Sequence, residues 1–289
     1  MRKVWVAVFC AALLIFMVLP TTLSVSTDIE LKQNDSVISE SSGKSSSMGS
    51  LAWEWAQKAG GSSSDDQSNA VAVDSNGDVY VTGSFEQMVT FGSTTLTSAG
   101  NDDIFVAKMN STGHWMWAKK AGGSYDDQGM DLAIDSSGDV FLTGKFQNTA
   151  QFGSDSLTAG PTTNDDFFIA KIDTWGNWIW VEGADCHNNG RCYGTSVAVD
   201  SAGYAYVTGS FTRDIDFGTT TLTWAGVEDI FVAKIDTLGN WQWATMGGGA
   251  QGYDVAHSID IGPNGNAFIA GYFQFASDFG SDSITANGG

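Results

Sequence analysis

The sequence predicts an all-β fold built from one repeated unit, a stack of four-stranded antiparallel sheets, and three markers predict it. An Asp before a tight turn recurs at Asp74, Asp135, Asp200 and Asp260, in steps of 61, 65 and 60 residues. A Trp-x-Trp pair recurs at Trp53/Trp55, Trp115/Trp117, Trp178/Trp180 and Trp241/Trp243. A Phe-Gly-x-x-x-[Leu/Ile]-Thr segment starts at Phe91, Phe152, Phe217 and Phe279. Three markers in one order and at one spacing define a repeat architecture, in which each unit buries its apolar faces against its neighbours.

Within a unit, Met130–Asp135 and Asp139–Phe146 flank Ser136-Ser137-Gly138. Two β-forming runs around a short Gly-containing turn read as a hairpin. Asp103–Met109, the turn Asn110–Gly113 and the return strand through Trp115 and Trp117 make a second hairpin. The central segments, such as Ile104-Phe105-Val106-Ala107, are apolar at every position. A sheet with one wet face would alternate, so these strands are expected to be covered on both sides, as propeller blades are. The tryptophans at i and i+2 are expected on one face, forming plates against the next blade. The stretch around Phe91–Thr97 makes the unit longer than a WD40 blade and is expected as an extra hairpin on a solvent-facing rim.

The segment Gly77-Asp78-Val79-Tyr80-Val81-Thr82-Gly83-Ser84-Phe85, then Phe91–Thr97, Asp103–Lys108 and Trp115–Ala118, resembles the seven-bladed β-propeller repeat (SBBP) family of exported bacterial and archaeal proteins. The resemblance spans residues 51–289 and implies a β-propeller with blades of about 61–65 residues. It implies no defined activity, since a fold does not fix a function. The fourth unit stops at Ala286–Gly289, where the other units begin Asp-Ile-Phe-Val-Ala-Lys. The expectation is an incomplete ring of three full blades and part of a fourth, as in a truncated product or fragment, or a ring closed with another copy. Trp53–Ala56 is the candidate for a closing strand.

Met1-Arg2-Lys3, the apolar run Val4–Leu19 and the small and polar residues up to Ser26 have the order of a signal peptide; the alternative is a retained N-terminal anchor over the same residues 1–26. Residues 27–50 read as a flexible Ser-rich linker and 51–289 as the repeat domain. The expected location is secreted or cell-surface, with membrane contact only through an uncleaved N-terminal segment. The chain has 13 basic and 33 acidic residues, a net charge of −20. That disfavours a nucleic-acid partner, whose phosphates need clustered cations. It suits solubility or, more sharply, divalent-cation binding.

Candidate site residues follow. Cys186 and Cys192 bracket a short loop in the insertion that lengthens one step, and in an exported chain they read as a disulfide; a metal site using His187 is the alternative. Asp74, Asp78, Asp135 and Asp139 are calcium candidates, weighed against simple Asx turns, and the third and fourth copies lack the pattern. The acidic pairs Asp65-Asp66, Asp102-Asp103 and Asp126-Asp127 are candidates for lining a rim. Asn34 and Asn110 match the N-glycosylation pattern. Asp236–Trp241 partly resembles the Trp-docking motif of quinone-dependent propeller dehydrogenases, but no acidic and cationic cofactor set can be assembled around it. No Gly-x-Ser-x-Gly, His-Glu-x-x-His or phosphate-binding loop occurs in the sequence. No catalytic residue and no cofactor are therefore assigned. The expected function is a non-enzymatic surface scaffold or binding and adhesion module with an unidentified protein or glycan ligand. The alternatives are a propeller enzyme (lyase, hydrolase or quinone-dependent) and a glycan-binding lectin.

Overall fold

The computed structural model describes residues 13–18, 53–61, 66–160 and 164–286, with side chains from Trp55 onward. Strands β1 (Leu13–Val18) and β2 (Trp53–Ala59) pair antiparallel. The first unit follows as β3 (Gln67–Val73), β4 (Val79–Phe85), β5 (Met88–Phe91), β6 (Thr94–Thr97), β7 (Asp103–Met109) and β8 (Trp115–Ala121). The second is β9 (Gln128–Ile134), β10 (Val140–Phe146), β11 (Thr149–Phe152), β12 (Asp155–Thr158), β13 (Asp166–Ile172) and β14 (Trp178–Gly183). The third is β15 (Asp185–Cys186), β16 (Cys192–Val199), β17 (Ala205–Phe211), β18 (Ile215–Phe217), β19 (Thr220–Leu222), β20 (Asp229–Ile235) and β21 (Trp241–Gly248). The fourth is β22 (Val255–Ile261), β23 (Ala267–Tyr272), β24 (Ala276–Phe279) and β25 (Asp282–Thr285).

The sheets are antiparallel blades in the orders β3-β4-β7-β8, β9-β10-β13-β14 and β16-β17-β20-β21, with β22-β23 as half of a fourth; the ring is not closed. β2 pairs with β1 and not with the fourth unit. The rest of the expected leader and the serine-rich linker lie outside the described residues. No described helix is long and apolar enough to cross a membrane.

The core lies in the seams between blades. Ile104 and Val106 of β7 pack with Leu142 and Phe168 of the second blade, while Phe105, Ala107 and Met109 of the same strand pack on the opposite side with Trp55. All seven residues of β4, β7 and β13 are buried. Phe141, Phe167 and Ile169 meet Val207, Phe211 and Phe231 across the next seam. Full burial of such side chains contributes about 1.5–3 kcal/mol each. Two covered faces thus explain why these strands do not alternate. In the second strand of each of the three full blades a Thr-Gly pair lets neighbouring strands approach. Thr143 Oγ1 donates to the Phe168 carbonyl at 2.9 Å, and a Cβ at Gly144 would sit 2.0 Å from the Gln128 carbonyl oxygen.

The extra hairpins β5-β6 and β11-β12 form as expected, but they do more than project into solvent. Gly122 at the end of the first blade exchanges two backbone hydrogen bonds with Gln151 in β11, at 3.1 and 3.0 Å. Gly60 bridges to Thr90 in β5, accepting the Thr90 N–H at 3.4 Å, and Gly247 and Gly248 pair with Phe279 and Asp278 in β24. Each hairpin clasps the outer strand of the preceding blade.

Two sequence expectations need correction. The tryptophans of a pair do not share a face. A bulge sets Trp115 opposite Met109 and Trp117 opposite Lys108, so the two indoles point into different seams. The extra residue of a bulge breaks the two-residue alternation that places i and i+2 together. The fourth turn residue is also misplaced. Gly262, not Asp260, accepts the Gly265 N–H and donates to Asn266, as Asp74 does with Gly77 and Asp78. Asp260 pairs with Phe268 inside the β22-β23 hairpin.

Candidate functional site

The calcium candidates occupy the turns between the first and second strands of each blade. Asp74 Oδ1 accepts the Asn76 and Asp78 N–H groups at 2.9 and 3.0 Å, and Asp135 Oδ1 accepts those of Ser137 and Asp139 at 2.8 and 3.1 Å. This is Asx-turn chemistry, with Gly at the positive-φ position. The remaining oxygens converge on a lysine. Lys108 Nζ is 3.0 Å from Asp78 and 3.6 Å from Asp74, and Lys171 Nζ is 3.0 Å from Asp135 and 3.2 Å from Asp139. Lys234 repeats the contact with Asp200 at 3.3 Å. The ammonium of the recurring Ala-Lys segment stands where a bound cation would sit. Burial alone would lower the Lys108 pKa, but its contacts with Tyr80 and Asp78 outweigh burial and raise it. Lys108 also donates to Thr174 of the next blade at 3.0 Å, which ties the turn across the seam.

The second tryptophan of each of the first three pairs, Trp55, Trp117 and Trp180, docks on the following blade. Trp117 Nε1 donates to the Thr174 carbonyl and Trp180 Nε1 to the Thr237 carbonyl, both at 3.1 Å. The turn glycines lie against the indoles. At Gly176, with φ +85°, a Cβ would come within 3.0 Å of Trp117. Trp55 lies on Gly113 in the same way. The partial likeness of Asp236–Trp241 to a Trp-docking motif thus corresponds to a docked indole, supplied by the preceding blade. The first tryptophans meet a hairpin phenylalanine edge-on: Phe91–Trp115, Phe152–Trp178 and Phe217–Trp241, at 5.0, 5.3 and 4.9 Å. Trp243 has no following turn against it among the described residues and is 39% exposed; the side chain of Trp53 lies outside them.

The acidic pairs expected on a rim instead supply buried carboxylates at the seams. Asp127 accepts the Gly123 and Gln147 N–H groups at 2.6 and 3.0 Å, and Asp254 accepts those of Gly249 and Gln274 at 2.8 and 3.0 Å. Asp66 accepts the Gly61 N–H at 2.7 Å, while Asp65 lies outside the described residues. Asp103 is fully buried, bonded to Lys120 and the Ala99 N–H, and burial raises its pKa. Burial pushes Asp127 up to about 7, helped by the carboxylates of Asp103 and Asp126. Such groups cap chain turns, and their distribution over several seams does not form one pocket.

The third unit departs from this scheme. Cys192 donates its N–H to Asp165 as Asp127 does to Asp102, so a cysteine replaces the buried Asp. Cys192 and Cys186 form the expected disulfide, with Cα atoms 6.3 Å apart. Burial pushes the adjacent Asp166 up to about 6. His187 Nε2 is 2.8 Å from Asp216, and this contact raises the His187 pKa. The sulfurs are joined to each other, so His187 faces carboxylates and not thiolates.

Asn110 sits in the turn after β7, where its Oδ1 accepts the Thr112 and His114 N–H groups at 3.1 and 2.9 Å. Asn34 lies outside the described residues. Facing β20, β23 and β24, Ile230, Val232, Met246, Ile269, Tyr272 and Phe279 line an apolar groove of about 360 Å³ that sequence reasoning did not locate.

Stacked antiparallel blades, docked indoles and seam hairpins define a β-propeller repeat protein. The profile of the beta-propeller repeat family (SBBP) matches two segments of the chain, residues 54–84 and 187–210. It is also similar to an uncharacterized WD repeat-containing protein of Acanthamoeba polyphaga mimivirus, 25% identical over 267 residues. That match covers 76% of this chain and 19% of the relative, so the chain spans about a fifth of the relative's length.

Proposed function

We propose that this repeat protein is an exported, non-enzymatic scaffold and binding module of the cell surface, and that the β23 edge takes a protein segment in extended conformation, from another polypeptide or from a longer form of this one. One observation carries the reading. In the three full blades the second strand pairs with an Asp-[Ile/Phe]-Phe-[Val/Ile]-Ala-Lys strand, but the corresponding edge of β23 carries no strand among the described residues. The groove beside that edge is apolar, and Ile269 and Tyr272 are exposed there at 43 and 45%. An open edge with apolar pockets is the geometry of strand addition. The recurring lysines and turn aspartates support a structural and not a catalytic use of charge, because each is bonded within its own blade or across a seam. A glycan ligand gains less support: Trp175 is 74% exposed at a turn tip, but Leu238 and Thr112 stand at the equivalent positions, so no aromatic row repeats there.

The test is titration of a labelled peptide, Asp-Ile-Phe-Val-Ala-Lys-Ile-Asp, into the purified chain. Saturable binding is expected, with loss when proline replaces the central Val of the peptide or when Ile269→Lys alters the groove. Absence of binding would remove the strand-addition reading. For export, residues 1–26 fused to a reporter enzyme should carry it out of the cytoplasm; a reporter retained there would contradict the assigned location.

A further inference from the structure

We propose that Asp185, His187 and Asp216 form a binding site for one divalent transition-metal ion of the zinc type, independent of the function proposed above. One ligand atom from each of the three residues lies within 4.8 Å of the other two. Bonds of about 2.0–2.2 Å to imidazole and carboxylate would draw the three atoms together by small side-chain movements. Asp185 and His187 are two apart, and Asp216 is the direct cross-strand partner of Asp185 in the β15-β18 pair.

The fold does not require these residues here. The same blade-to-hairpin bridge is made by Gly60 with Thr90, by Gly122 with Gln151 and by Gly248 with Asp278. Only at Asp185 and Asp216 do two carboxylates oppose each other. Like charges directly across a strand pair are destabilising. Asp214 adds a third negative charge near His187. The nearby arginines are engaged elsewhere, Arg191 with Asp165 and Arg213 over the Trp224 ring. A divalent ion held by the imidazole and both carboxylates would relieve this concentration of charge.

The site is also held in place. The Cys186–Cys192 disulfide closes the loop, and the His187 N–H donates to the Asp214 carbonyl at 2.9 Å. Thr221 Oγ1 donates to Asp216 Oδ1, which leaves Oδ2 toward His187. A second-shell bond of this kind orients a ligand and tunes the metal. One nitrogen and two oxygens suit zinc or a neighbouring d-block ion, with water completing the shell. Calcium, which takes 6–8 oxygens, fits less well.

The test is calorimetric titration of zinc chloride into the metal-stripped, disulfide-intact full chain. One zinc per chain is expected. His187→Ala and Asp216→Asn should each weaken binding at least about tenfold, while His114→Ala and His257→Ala should leave it unchanged. Asp185 is exposed, so Asp185→Asn provides a variant that keeps the loop folded, and it should also weaken binding. No zinc binding by the wild type, or equal affinity in the wild type and Asp185→Asn, overturns the proposal.

Discussion

Trp180 of the second blade donates its indole N–H to the Thr237 carbonyl in the third at 3.1 Å, and Gly239 of that turn lies against the ring. The same contact joins Trp117 to Thr174 one unit earlier. Tryptophan therefore acts as a connector between blades, with its N–H satisfied and its ring packed on a turn. Trp180→Ala removes both and should destabilise the protein by about 2–4 kcal/mol. Trp243→Ala, at a half-covered position, should cost about 1 kcal/mol or less. Urea denaturation of the two variants measures the difference, and equal losses would contradict the connector role.

Lys171 is buried with Asp135 and Asp139, with side chains 7, 5 and 20% exposed. Removing one partner of a buried ion pair leaves the other charge uncompensated. Lys171→Met should therefore destabilise by about 3–5 kcal/mol. Because the ammonium already serves these carboxylates, added calcium should leave the wild-type melting temperature unchanged. A rise that disappears in Asp139→Asn would restore calcium to the turn.

The raised carboxyl groups set a pH dependence with a definite sign. Burial raises Asp127 to about 7 and Asp166 to about 6, against an ordinary carboxyl value of 3.8. Between about pH 4 and 7 the folded state holds more protons than the unfolded chain, so stability falls as pH rises through this window. The contribution is fully present below about pH 4 and lost above the folded values. Denaturation midpoints should decline from pH 4.5 to 7.5, and Asp127→Asn should flatten the slope. Asp165, Asp173 and Asp200 act in the opposite sense and lower down. Their folded pKa values are depressed, so they lose their contribution as pH falls below the ordinary carboxylate range.

The Cys186–Cys192 bridge closes a loop with a sequence separation of 6. Chain-entropy reasoning for so short a loop gives about 2 kcal/mol. Reduction should lower stability by about that amount while the three-blade fold persists by circular dichroism. A complete loss of β structure on reduction would show the bridge to be essential to the fold.

The architecture was legible because the repeated markers and the uniformly apolar central strands each state a physical requirement, covered faces in a stacked array. The disulfide was legible from spacing and expected compartment. The tryptophan geometry was not, because the bulge that separates Trp115 from Trp117 leaves no mark in the residue types. Asp260 misled because an Asp near the expected turn resembles the turn residue, whereas the spacing to the turn glycine, three residues from Asp74 to Gly77 and from Gly262 to Gly265, marks Gly262. The cluster of Asp185, His187 and Asp216 depends on cross-strand register between segments far apart in sequence. The rim assignment of Asp66, Asp103 and Asp127 failed for a related reason: unpaired backbone N–H groups at a seam also need carboxylate acceptors, and sequence does not say which partner is near.

The clasp between Gly122 and Gln151 gives the array a direction. A blade's outer strand is secured by residues synthesised only after that strand is complete. Rearranging the order of the units would leave the clasps in place, whereas detaching a single hairpin would loosen two blades: the one before it, through the lost backbone bonds, and its own, through the lost contact of Phe152 with Trp178 or its counterpart.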